Sequence, residues 1–146
     1  MLIYLDMCSI QRPLDDRTQL RVALEAEAVL GILGMCESGQ AELISSDALE
    51  YETGENFYPL RQSYAFGVLA KASRVVRLSA TIEDRARELN AAGFTPLDAL
   101  YLACAEAAGV DYFCTCDDRL LRRARAGHPG LPKVVTPVEL IAETEA

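Results

Sequence analysis

Short apolar runs alternate with helix-forming segments along this chain, and this alternation constrains the fold more than any other feature. The runs are short enough to be buried strands, and each is followed by a segment that breaks or caps the chain. Strands that alternate with helices form mostly parallel sheets covered by helices on both faces. We therefore predict a three-layer α/β/α fold with a short, mostly parallel central sheet. The predicted strands are residues 2–5, 43–44, 75–78, 111–115 and 133–136.

The predicted helices are recognised by apolar spacing and by their caps. Residues 17–37 repeat apolar side chains at helical intervals, and Gly39 is suited to end that helix. The sequence Thr95-Pro96 opens a second strongly patterned helix that reaches Gly109. Neither a shift in composition nor a long linker interrupts the chain, so we expect residues 1–146 to form a single domain. Shorter helices are predicted at residues 46–54, 79–90 and 118–125 and after Pro59 and Pro137.

Three aspartates lie where buried elements give way to open backbone. Asp6 ends the first strand, Asp117 follows the fourth, and Asp98 lies in the first turn of the helix that starts at Thr95. The carboxyl ends of neighbouring parallel strands face one crevice, where ligands collect. Carboxylates brought together there repel each other unless a hard divalent cation lies between them. This pattern predicts metal-assisted phosphate chemistry.

Each acid also has an ordinary structural explanation. Thr95 and Asp98 have the spacing of a capping box, and Asp117 or Asp118 can cap the helix that follows. Asp6 is the exception, because the sequence predicts a loop after it and no helix for it to cap. We expect a fourth acid from the helix after the second strand, where Glu50, Glu52 and Glu55 compete. Glu52 lies only about 60° from the buried position Leu49, which mildly favours it.

Composition narrows the possible functions. The net charge is −8, which argues against a broad electrostatic nucleic-acid binder but leaves a nuclease with local arginine patches open. The only histidine, His128, is expected to be a solvated loop residue. The N-terminus does not resemble a signal peptide and no stretch could span a bilayer, so we expect a cytoplasmic protein without membrane contact. The cysteines form no Cys-x-x-Cys pair and are expected to be structural: Cys8, Cys36, Cys104, Cys114 and Cys116.

The order and spacing of these motifs carry a family resemblance. The segments concerned are residues 3–9, 12–16, 45–46 followed by Glu52, 96–103 and 113–117. Together they resemble the PIN-domain family and its VapC-like members, the ribonuclease toxins of bacterial toxin–antitoxin pairs. The resemblance covers nearly the whole chain, and it implies that Asp6, Glu52, Asp98 and Asp117 form the acidic metal-binding set. It also implies that Cys8 or Ser9 is the small polar residue after the first aspartate. Tyr101 departs from the pattern, since related sequences often carry histidine there.

The resemblance implies a metal-dependent endoribonuclease that uses Mg²⁺ or Mn²⁺ and has RNA as its substrate. One or two such ions lower the pKa of water and clamp a phosphate in line. The resemblance further implies a homodimer and an antitoxin partner whose tail lies in the acidic groove. The alternative is a PIN-fold binding or regulatory protein with little or no nuclease activity. The net charge and Tyr101 favour that alternative, whereas the intact set of four acids argues against it.

Overall fold

The computed structural model describes residues 1–145. Five parallel strands form one sheet in the order β3-β2-β1-β4-β5, which confirms the predicted short parallel sheet. The central strand β1 pairs with both β2 and β4, so that Tyr4 lies beside Ile44 on one side and Phe113 on the other. The strands are β1 (Leu2–Leu5), β2 (Glu42–Ser46), β3 (Arg74–Val76), β4 (Tyr112–Cys114) and β5 (Lys133–Val135).

Eight α-helices accompany the sheet within residues 1–145. Most begin where the sequence predicts, because Ser46, Ser79, Thr95, Asp117 and Thr136 accept backbone N–H bonds as N-caps. The helices are α1 (Met7–Gln11), α2 (Leu20–Glu37), α3 (Asp47–Gly54), α4 (Pro59–Leu69), α5 (Ala80–Ala91), α6 (Pro96–Ala108), α7 (Asp118–Arg125) and α8 (Pro137–Thr144).

The longest helix, α2, begins three residues later than predicted. The Asp16 carboxylate accepts a hydrogen bond from the Thr18 backbone N–H at 2.9 Å and thereby holds the preceding residues in a loop. Gln19 stands at the N-cap without a side-chain bond. The periodicity of α2 is therefore real, but the local hydrogen bond of Asp16 delays its first turn.

The core lies along β1 and α6. Ile3, Tyr4 and Leu5 are fully buried, and the Tyr4 ring stacks on Phe113 with centroids 5.3 Å apart. A parallel strand covered on both faces needs such a continuous apolar run. Helix α6 is buried over most of its length and ends at Gly109, whose φ of 67° is the left-handed conformation that glycine adopts at low cost.

Two further observations bear on function. In the part of the chain that is described, residues 1–145, no helix is long and apolar enough to cross a membrane. All five cysteines are free thiols, and Cys104, Cys114 and Cys116 are buried.

Candidate active site

The strand order creates a switch point between β1 and β4. The chain leaves β1 toward β2 on one side of the sheet, and it leaves β4 toward β5 on the other side. Ligand crevices in parallel sheets form where the strand connections diverge in this way. Asp6 directly follows β1, and its backbone N–H donates to the Cys114 carbonyl oxygen at 3.2 Å. Asp117 lies three residues after the end of β4, so both aspartates belong to this edge.

Asp6 is the most buried of the four predicted acids, with 3% of its surface exposed. The expectation that it caps no helix was wrong, because α1 starts immediately after it. Its Oδ1 accepts hydrogen bonds from the Ser9 backbone N–H at 3.1 Å and from the Cys8 Sγ at 3.0 Å. Burial raises the pKa of Asp6 above its ordinary value, although hydrogen bonds from Thr115, Cys8 and Ser9 act against that rise.

Glu52 reaches the same crevice from α3. Burial, together with the negative charges of Asp6 and Asp98, raises its pKa to about 7. Its Oε2 is buried and has no hydrogen-bond partner among residues 1–145. Glu50, in contrast, lies 3.5 Å from the Arg77 guanidinium on another face of the helix. Glu52 is thus close enough to Asp6 and Asp98 to be influenced by their charges, whereas Glu50 is paired with Arg77.

Asp98 is the third residue of α6, and Thr95 is its N-cap. The Thr95 Oγ1 accepts a hydrogen bond from the Asp98 backbone N–H at 3.2 Å. The reciprocal bond from a carboxylate to the N-cap N–H is formed at Thr136 and Glu139, but no such bond is found for Asp98 among residues 1–145. Burial raises the pKa of Asp98, a side-chain hydrogen bond with Thr95 lowers it, and the Asp6 and Asp117 carboxylates raise it. The Asp98 carboxylate therefore contacts the cap residue and is also exposed to the charges of two other acids.

Asp117 is the N-cap of α7. Its Oδ1 accepts from the backbone N–H groups of Arg119 at 2.8 Å and Leu120 at 3.3 Å, and its side chain is exposed. The Thr115 Oγ1 accepts from the Asp117 N–H at 3.0 Å, which gives the Thr-x-Asp pattern a local physical cause. Asp118 instead makes a two-pronged ion pair with Arg21 at 2.7 and 2.8 Å. Only Asp117 remains free to face the crevice.

The four acids influence one another but lack partners of opposite charge. None of Asp6, Glu52, Asp98 and Asp117 belongs to the ion pairs found among residues 1–145. Within the same range, no three Asp, Glu, His or Cys side chains are placed so that they could together hold a metal ion. The donor chemistry nevertheless fits a hard cation, since unpaired carboxylates repel each other and the Glu52 Oε2 has no other partner.

Tyr101 stands where the resemblance implies that histidine is common. It lies one helical turn after Asp98 in α6, is 2% exposed, and its ring centroid is 6.1 Å from that of Tyr4. Its hydroxyl group is buried and has no hydrogen-bond partner in the part of the chain that the structure describes. Tyr4 in turn shares a hydrogen bond of 2.7 Å with the Ser46 hydroxyl, which is the N-cap of α3. These tyrosines form the aromatic layer beneath the crevice and support the elements that carry the acids.

Sequence reasoning missed the setting of His128. It was expected to be a solvated loop residue, but its ring lies 5.1 Å from the Phe94 ring, and the residue is half-buried. It lines a cavity together with arginines of α7, close to the N-terminus of α6. The Gly-His-Pro-Gly sequence indicates only a turn, so no local signal could have placed His128 there.

Comparison with known proteins bears on the fold and the family. The chain is similar to VapBC2 from Rickettsia felis in a crystal structure bound to a DNA fragment from their promoter, with a TM-score of 0.62 and 14% identity. The similarity covers 93% of this chain and 98% of that one, and at this identity it bears on the fold alone. No curated protein sequence gives a significant match. The model of the PIN domain matches residues 3–126, and the chain therefore belongs to the PIN-domain family, as its motifs predict.

Proposed function

We propose that this protein is a Mg²⁺- or Mn²⁺-dependent endoribonuclease, and that it is the toxin of a toxin–antitoxin pair. The observation that carries the proposal is the set of four unpaired carboxylates at the switch point of a PIN-domain sheet. Carboxylates that raise a neighbouring acid's pKa, as Asp6 does for Asp98 and both do for Glu52, destabilise the fold at neutral pH, and a site that binds a divalent ion explains that cost. Five free cysteines agree with a reducing compartment, and we place the protein in the cytoplasm.

Asp6 and Asp98 would hold the metal directly, and Glu52 and Asp117 would complete its surroundings. A bound ion supplies a water of lowered pKa and offsets the charge of the phosphodiester group. Two hydrogen bonds hold the Asp6 side chain in place, because the Ser9 backbone N–H and the Cys8 thiol both donate to its Oδ1. Asp117 is likewise fixed by two N–H groups of α7. Rigid carboxylates of this kind orient a ligand without paying to order their side chains.

The antitoxin partnership rests on the family and on one structural relative. The Rickettsia felis structure is of VapBC2 bound to DNA from its promoter, and its fold covers almost all of this chain. We propose that an antitoxin binds this protein too, and that residues 1–146 act as one PIN domain. The net charge of −8 does not oppose such a partner, because an antitoxin with a basic tail would be drawn to the acidic crevice.

We also propose that the protein forms a homodimer through the segment around α4. Phe57 is 96% exposed, Tyr58 70% and Leu60 74%. Tyr64 is half-buried against the core, and Phe66 is 44% exposed, so these aromatic residues are not all core residues of one copy. A contiguous exposed apolar patch is typical of an interface, and aromatic residues are enriched there.

Cleavage by purified protein tests the proposed activity. Wild-type protein freed of metal with EDTA is given Mg²⁺ or Mn²⁺ and a mixed pool of RNA, and the termini of the products are mapped. We expect cleavage only with metal, and 5′-phosphate and 3′-hydroxyl ends. Asp6→Asn should abolish cleavage, because it removes an anionic ligand with almost no change in shape.

Asp84→Asn is the matched control for this experiment. It removes the same charge from a surface pair on α5, where the Asp84 side chain is 73% exposed. It should cleave like the wild type, and circular dichroism should show both variants folded. Full activity in Asp6→Asn would contradict the metal site. A folded wild-type protein that binds Mn²⁺ weakly and cleaves no RNA would favour a PIN-fold binding or regulatory protein instead.

A further inference from the structure

Two adjoining cavities extend from Asp98 toward α7. The smaller, of about 220 Å³, is lined by Asp98 and Thr95 at the start of α6 and by Arg119 and Arg123. The larger, of about 460 Å³, is lined by Arg119, Arg123, Arg122 and His128. Arg119 and Arg123 line both cavities, which therefore adjoin, and we refer to the two together as the groove. That groove connects one of the four crevice acids to a cluster of guanidinium groups.

The arginines of this groove differ from nearly all the other cations of the chain. Among residues 1–145, ten of the fourteen lysines and arginines make ion pairs with acids. The four without an ion pair are Arg74, Arg119, Arg122 and Arg123. Three of these four therefore line the same groove, although the protein carries 22 acidic residues that could have paired with them.

This arrangement opposes the stability of α7. Arg119, Arg122 and Arg123 are spaced three and four residues apart, so like charges lie side by side on one helix face. The helix dipole favours Arg122 and Arg123 near the C-terminus, but it disfavours Arg119 in the first turn. A cluster that is not explained by helix stability or by pairing is suited to an anionic ligand. Guanidinium groups match the geometry of phosphate oxygens and remain charged at every physiological pH.

The groove also has fixed walls. The His128 ring lies against the Phe94 ring, which is buried and joins the loop before α6 to the groove. The Arg123 guanidinium lies against the backbone of Gly93, whose φ of 112° favours glycine, and a side chain at that position would collide with it. Arg123 is thereby directed toward the cavity that contains Asp98. Arg119, Arg123 and Asp98 consequently line the same cavity.

We propose that Arg119, Arg122 and Arg123 form a binding site for the backbone phosphates of the RNA strand beside the bond that is cleaved. The inference rests on the proposed ribonuclease function, which supplies the strand. It explains how a protein of net charge −8 retains a polyanion next to four carboxylates. The three arginines attract the strand locally and place its next phosphates along α7, while the scissile phosphate lies over the acids.

Binding measured without cleavage tests this site. The probe is a fluorescein-labelled single-stranded RNA 12-mer of mixed sequence, and all proteins carry Asp6→Asn so that the probe stays intact. Arg122→Gln, Arg123→Gln and the double variant are compared with Arg74→Gln by fluorescence anisotropy over a range of salt concentrations. Arg74→Gln is the matched control, because it removes the same charge from the other remaining unpaired arginine, on edge strand β3.

Counterion release fixes the expected size of the effect. Each phosphate contact on a single strand contributes about 0.7 to the slope of log Kd against log salt, which amounts to about eightfold in Kd near 50 mM salt. We expect each single groove variant to bind the probe about eightfold more weakly near 50 mM salt, with a slope lower by about 0.7. In the double variant the slope should fall by about twice that amount. Arg74→Gln should leave the slope unchanged.

The outcomes separate this inference from the proposed activity. If the wild type cleaves no RNA but the groove variants still bind more weakly than Arg74→Gln, the nuclease proposal fails and the phosphate site stands. If the groove variants bind as tightly as Arg74→Gln, the phosphate site is overturned even when the wild type cleaves RNA. Absence of any RNA binding at the lowest salt concentration would also overturn it.

Discussion

Replacing Glu52 by glutamine should stabilise the metal-free protein at alkaline pH. Glu52 is half-buried near Asp6 and Asp98, and these surroundings raise its pKa from 4.5 to about 7. A difference of this size corresponds to about 3.4 kcal/mol of unfolding free energy at most. Solvent screens a side chain that is only partly buried, so we expect about 1–2 kcal/mol.

The sign of the effect follows from proton binding. Below about pH 4.5, Glu52 is protonated in both the folded and the unfolded protein. It then carries no charge and does not lower the free energy of unfolding. Between about pH 4.5 and pH 7 the folded protein keeps a proton that the unfolded chain loses, so stability falls as the pH rises. Above pH 7 the loss is complete. Glutamine carries no charge, so the stability of the variant should not show this decrease between pH 4.5 and pH 7.

Urea unfolding followed by circular dichroism measures the effect, since the chain has no tryptophan. Wild type and Glu52→Gln are unfolded in EDTA at pH 5 and pH 8. The quantity of interest is how much the difference between their free energies of unfolding changes from pH 5 to pH 8. The glutamine amide is uncharged at both pH values, so any free-energy cost of burying it is the same at each and cancels from this comparison. Glu50→Gln is the control, because Glu50 faces Arg77. Parallel pH dependences of wild type and Glu52→Gln would refute the claim that the acids share a crevice.

Two further predictions concern the cap of α6 and the oligomeric state. Thr95→Ala removes the hydroxyl that accepts from the Asp98 N–H, so it should cost about 1 kcal/mol in urea unfolding and leave Mn²⁺ affinity intact. Asp98→Asn should weaken Mn²⁺ binding and leave the stability unchanged. If Asp98→Asn instead loses stability and binds Mn²⁺ normally, Asp98 acts as a helix cap and not as a metal ligand. In sedimentation equilibrium the protein should have twice its chain mass of 16.0 kDa at micromolar concentration, and Phe57→Ser should shift it toward the monomer. A single-chain mass for the wild type at every concentration would exclude the dimer.

The fold was largely predictable because its signals are local. Strands such as Leu2–Leu5 are continuous apolar runs. Helices such as α6 are recognised by a start signal, here Thr95-Pro96, and by a glycine at the end. Helix α1 was missed because five residues, Met7–Gln11, are too few to display a periodicity. Its existence changes the interpretation of Asp6, which is at once a cap and a member of the acidic set.

The acids were predictable and the arginine groove was not, for a physical reason. Position at the end of a strand or the start of a helix singles out Asp6, Asp98 and Asp117, and the topology then brings such ends together. An unpaired arginine is recognised only after the paired ones are known, and several of those pairs join residues far apart in the sequence. Arg21 reaches Asp118 across 97 residues, and that distant partner is invisible in the local sequence. The groove is therefore a property of the folded chain alone.

If the protein is the toxin that we propose, the pairing of β1 with β4 also bears on when it becomes active in the cell that makes it. This pairing joins Tyr4 to Phe113, residues more than one hundred positions apart, and contacts of this kind form late and slowly. Before they form, the chain carries all four acids without bringing Asp6 near Asp117. A newly made or partly unfolded copy therefore lacks the assembled acidic crevice, and on the proposed function the rate of folding sets the interval in which the proposed antitoxin could bind it before it acts.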